Sequence, residues 1–150
     1  MMRTHPHSRG FALLVSIILT SVLLSVGLAL LDITYKQIQL ASTAKQSEVA
    51  FYSADSALEC ALYWDQQYNS FSYSSPAASV TCSGVSLSLT TSQSGGTRTS
   101  TFTTSCIANA QAQVTVYKQS AGGTSIYANG YNTCNTSDLR RVERGIKATY

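Results

Sequence analysis

Asp55 and Glu59 stand four residues apart, so a helix would bring both carboxylates to one face. Such a pair can do acid/base work or supply part of a calcium site. No further ligand type lies close by, and the preferred reading is a solvated helix face. His5 and His7 are the chain's two histidines, and both fall within the first ten residues. The remainder has no imidazole for a catalytic triad or a histidine-bound metal, and an isolated HxH pair is a weak zinc signal. The glycines of SQSGGTRTS (Gly95, Gly96) lack the GK[ST] continuation of a phosphate-cradling loop. The chain therefore reads as a non-enzyme with no catalytic residue, metal or cofactor.

Four cysteines, Cys60, Cys82, Cys106 and Cys134, are widely spaced. Zinc ligands usually come in short CxxC-like pairs, so an even number of dispersed cysteines points to two disulfides in an oxidising compartment. Three pairings are open. The favoured one joins Cys60 to Cys82 and Cys106 to Cys134, because a hairpin between the last two would bring their segments together. The basic group Arg140, Arg141, Arg144 and Lys147, with Tyr127, Tyr131 and Tyr150 as stacking surfaces, is a candidate phosphate-binding patch. Asp138 and Glu143 interrupt it, so nucleic acid is not the expected partner.

These side chains need a scaffold, and the chain divides into three parts. From Phe11 to Leu31 the sequence FALLVSIILTSVLLSVGLALL is uncharged; at about 1.5 Å per residue it spans roughly 31 Å, the thickness of a bilayer's hydrocarbon core. No Pro and a single Gly, Gly27, occur between Phe11 and Gln67, which predicts one helix of about 57 residues, roughly 85 Å long. Its second half places Ala50, Ala54, Ala57, Ala61 and Trp64, with Phe51, Leu58 and Leu62, on an apolar face opposite Lys45, Glu48, Asp55 and Glu59.

Beyond Asn69 a Ser/Thr-rich stretch reads as strands and loops. Val85, Leu87 and Leu89 share one side, Gly84 marks a bulge or turn, and SQSGGTRTS reads as a mobile connection. QAQVTVYK and TSIYANGY then form a hairpin turning near Gly122 and Gly123. A terminal strand has Val142, Ile146, Ala148 and Tyr150 on one face and Arg141, Glu143 and Lys147 on the other, with Arg144 as the exception. The expected fold is α+β: a long N-terminal helix, membrane-spanning in its first half, with an antiparallel sheet of about four strands packed on its second half.

The leader MMRTHPHSRG carries Arg3 and Arg9 and ends in Gly10 directly before Phe11. An ordinary secretory signal is cut after its apolar core; here the natural cut lies before it. Leader, apolar helix and the continuation AFYSADSALECALYWD (Ala50 to Asp65) together resemble type IV prepilins, the last segment being similar to the AxxAAExAL-type stretch where minor pilins leave the membrane. The resemblance runs from Met1 to Asp65; past that point it is one of architecture. It implies that a membrane peptidase cuts between Gly10 and Phe11, that the new Phe11 amine is methylated, and that the product joins other pilin subunits through its N-terminal helix.

The implied domains are a leader (1–10), a membrane and filament-core segment (11–31), an amphipathic helix (32–67) and a disulfide-containing head (68–150). Val15 departs from the pattern, since pilins usually place Glu at the fifth residue after the cut. The tip pseudopilin of type II secretion is similar in lacking this acid, which implies a minor or initiating subunit rather than the major one. Removing Arg3 and Arg9 leaves eight basic and seven acidic residues, a net +1, and the basic leader favours a cytoplasmic N-terminus with the head outside. Expected partners are the prepilin peptidase, an assembly platform, other subunits and the membrane. The alternative is an uncleaved, membrane-anchored extracellular adhesin, and a weaker rival is a secreted enzyme using Asp55 and Glu59. Pilus, type II secretion and DNA-uptake filaments all fit the same pattern.

Overall fold

The computed structural model describes residues 9–150, with side chains from Phe11 onward. Leader residues Met1–Ser8, including Arg3, His5 and His7, lie outside the described residues. Two compact units emerge, one through Ser42 and one of Thr43–Tyr150. Both draw on α1 (Arg9–Tyr68), a helix of 60 residues, so the head unit begins inside the helix.

In the first unit α1 is apolar on every side. Phe11 and Val22 on one side and Ile17, Leu24 and Leu31 on the other are all exposed, and no part of the apolar window is buried. It is long and apolar enough to cross a membrane. Within the apolar segment the hydroxyls are paired: Ser16, Thr20, Ser21 and Ser25 each donate to the carbonyl three residues earlier at 2.8–3.0 Å, and just beyond it Thr34 donates to that of Leu30. In hydrocarbon an unpaired hydroxyl costs several kcal/mol, so this back-bonding keeps the segment compatible with lipid. Polarity returns at the exposed Asp32–Lys36 pair, 2.8 Å apart.

In the second unit α1 buries a stripe of small residues, Ala50, Ala54, Ala57 and Ala61, with Leu58. Phe51 stays outside this face and is 46% exposed, contrary to expectation. A bulky ring has no room where the helix meets a sheet through alanines. The helix ends at Asn69, whose left-handed backbone (φ 48°) lets the amides of Asn69 and Ser70 donate to the carbonyls of Asp65 and Trp64.

Seven strands follow. β1 (Ser79–Cys82) and β2 (Val85–Ser88) form a separate hairpin, in which Leu87 is buried while Val85 is exposed. β3 (Thr90–Ser94), β4 (Thr97–Thr103), β5 (Gln111–Gln119), β6 (Thr124–Tyr131) and β7 (Glu143–Thr149) form one antiparallel sheet in chain order. The sheet is thus five-stranded, and the α+β class expected from the sequence stands. The extra strand comes from SQSGGTRTS, which is a hairpin and not a mobile connection. Gly95 and Gly96, at φ 55° and 77°, make the two-residue turn that matches strand twist.

Alternation sets the faces. Ser100 and Phe102 of β4, Ala112, Val114 and Val116 of β5, and Ile126 and Ala128 of β6 are buried toward α1. Phe71, in the loop after the helix, stacks on Phe102 with 6.2 Å between ring centres and closes this core. The outer face carries Thr, Gln, Ser, Asn and Tyr. Sheet and helix approach closely at Gly130, where a Cβ would collide with the Ala50 carbonyl oxygen and the Ala54 amide and lie 3.0 Å from Ala54 Cα.

Candidate functional site

The cysteines form two disulfides, Cys60–Cys82 and Cys106–Cys134, with Cα separations of 5.9 and 6.0 Å. The first fastens β1 to the helix beside Trp64, whose Nε1 donates to the Thr81 carbonyl at 2.8 Å. The second spans the end of the β5–β6 ladder, where Gln111 pairs with Tyr131. In the chain-entropy account, loops of 22 and 28 residues each stabilise the fold by about 3 kcal/mol.

Asp55 is half-buried and Glu59 exposed. Among the described residues no group of three or more His, Cys, Asp or Glu could hold a metal. The basic cluster does not form one patch. Arg144 turns toward the helix and its Nε donates to Ser47 Oγ at 2.6 Å, which accounts for its exceptional place in the alternation. Arg141 stacks at 3.7 Å over the Tyr131 ring, and Lys147 lies 5.0 Å from the Tyr127 ring on the outer face. Tyr150 is committed elsewhere.

That commitment is a polar cluster that sequence reasoning missed. Buried Asp65 accepts two bonds from Lys118 Nζ, at 2.7 and 2.8 Å, and one from the Tyr150 hydroxyl at 2.6 Å. It ties the end of α1 to β5 and to the residue after β7. The signal was present: Asp65 follows Ala61 by one helical step on the apolar face, while Lys118 continues the inward series 112, 114, 116. An ionised group at an inward position needs a partner, and these two supply each other.

Burial first, then the hydrogen bond to Asp65 and its negative charge, hold the Tyr150 phenol well above its ordinary value of 10.0. The folded chain therefore keeps this proton more tightly than the unfolded chain does. The stability contributed is complete below pH 10 and is lost as pH climbs from there toward the raised value. Urea unfolding at about pH 9 and about pH 11 should show a steeper alkaline loss in the native chain than in Tyr150→Phe; equal losses would exclude the linkage.

The head carries recesses that could receive a ligand. An apolar groove of about 380 Å³ lies between α1 and two loops, lined among others by Val49, Tyr52, Cys82 and Ile107. A shallower depression of about 390 Å³ on the outer sheet face is lined by Thr97, Tyr117, Gln119, Ser125 and Tyr127.

Among the described residues the structure thus has one membrane-length apolar helix, near the N-terminus, and a disulfide-bonded α+β head. Comparison with protein-family models, curated proteins and solved structures returns no match.

Proposed function

We propose that this chain is a minor pilin or pseudopilin. It is cut between Gly10 and Phe11, held in the membrane by residues 11–31 with the head outside, and assembled through that helix into, or at the start of, a type IV pilus-like or type II secretion filament. The observation that supports this most is the exposed apolar half of α1, bare on all sides and internally satisfied in its hydrogen bonding. Such a surface needs lipid first and can later trade it for packing against like helices. Ser16, Thr20, Ser21, Ser25, Gly27 and Ala29 let those helices approach closely. The subunit itself performs no covalent chemistry; the prepilin peptidase and an assembly platform do the work upon it.

Val15 bears on the kind of subunit. An apolar filament interior penalises an uncompensated ammonium, and valine offers an adjacent subunit's N-terminus no carboxylate. A subunit at the tip has no such neighbour to neutralise, so the chain is read as scarce or initiating. Quantifying it by mass spectrometry in sheared filaments should find it present but far below the main subunit. Its absence from filaments, or its dominance of them, would contradict the reading. The alternative of a permanently anchored adhesin draws on the recess in the outer sheet face; a chain that keeps Met1 to Gly10 would favour it.

A further inference from the structure

We propose that the depression on the outer face of the sheet binds a neutral oligosaccharide. Its five lining residues come from β4, β5 and β6, and the ladder sets them side by side: Thr97 opposite Gln119, and Ser125 opposite Tyr117. Tyr127 lies one inter-strand diagonal away, its ring centre 5.6 Å from that of Tyr117 and nearly perpendicular to it at 89°. Both tyrosines are 39% exposed. Two rings standing at a right angle make a corner, one wall offering a face and the other an edge.

The lining chooses the ligand class. None of the five side chains is charged, so an ionic ligand finds no counter-charge among them. A wholly apolar ligand would strip water from an amide and the hydroxyls of Thr97, Ser125 and the two tyrosines and return nothing. A sugar ring presents an apolar face of C–H groups and a rim of hydroxyls. The face packs on a tyrosine ring, while the rim exchanges hydrogen bonds with Gln119, Ser125 and Thr97, which between them both donate and accept. The volume of about 390 Å³ falls in the range of small-ligand sites. Lys147 borders Tyr127 at 5.0 Å from the ring centre, so an anionic sugar is the competitor the experiment must exclude. The site lies wholly on the head and does not depend on processing or assembly.

The test uses the full chain in zwitterionic micelles, since glycoside detergents would compete. Saturation-transfer NMR is recorded with cellohexaose and maltohexaose as neutral probes and an oligogalacturonate as the anionic one. The expected result is transfer to ring protons of at least one neutral probe, with affinity lowered roughly fivefold or more in Tyr117→Ala and in Tyr127→Ala. Gln119→Ala, which removes only an outward amide, should weaken binding as well and decides the matter if a tyrosine variant does not fold. No transfer to either neutral probe, transfer unchanged in the variants, or tighter binding of the oligogalacturonate would each overturn the proposal.

Discussion

Asp65→Ala is expected to cost about 3–5 kcal/mol of head stability, the largest loss from any single polar side chain in this fold. Asp65 is 5% exposed and its carboxylate receives three hydrogen bonds, two from Lys118 and one from Tyr150. Truncation leaves the Lys118 ammonium, whose side chain is 19% exposed, without the charge that offsets its desolvation. The Tyr150 hydroxyl loses its acceptor in the same step. Part of the loss should return in the double variant Asp65→Ala with Lys118→Met, because replacing both partners removes the stranded charge. The chain's single tryptophan, Trp64, adjoins the cluster and reports urea unfolding of the full chain in micelles. A loss below about 1 kcal/mol, the value of an exposed pair, would show that the cluster is not buried as described.

Gly130→Ala should be nearly as damaging, at about 3 kcal/mol or more, for a steric reason. The added methyl meets backbone atoms of Ala50 and Ala54, not a side-chain tip that can swing away. Either the helix lifts from the sheet, opening the core around Ala128 and Ala54, or the strand distorts. Gly145→Ala on the adjacent strand is the control. There a methyl would lie 3.0 Å from Asn129 Oδ1, the end of a side chain able to move, and the expected cost is under about 1 kcal/mol. Equal stabilities of the two variants would refute the close helix–sheet approach.

These two sites also mark how far the fold could be read from residues alone. The helix was legible because no Pro interrupts it and because Ala50, Ala54, Ala57 and Ala61 recur at helical spacing. Strands β5 and β6 were legible because VTV and SIYA alternate around a Gly-Gly turn. β3 and most of β4 were not: TTSQS and TRTS offer no apolar period. What makes them strands is pairing with a neighbour that already exists, as Thr99 with Tyr117 and Phe102 with Val114. Phe51 misled for the opposite reason, being apolar at nearly the right spacing yet too large for an alanine-lined contact. The Asp65 cluster escaped because its members lie 53 and 85 residues apart, and charge at an inward position becomes informative only when its partner is known. Arg144 belongs with it, an apparent break in alternation that Ser47 explains.

Membership of a filament turns on the N-terminus, where Gly10 and Phe11 sit in the first turns of α1. Most direct is Edman sequencing and intact-mass measurement of the chain recovered from the membranes of cells that contain a prepilin peptidase. The account predicts a mature chain that begins at Phe11, carries a methyl group on its amine, and retains both disulfides. Recovery of the chain with Met1 to Gly10 still attached, in cells whose peptidase processes other prepilins, would contradict it.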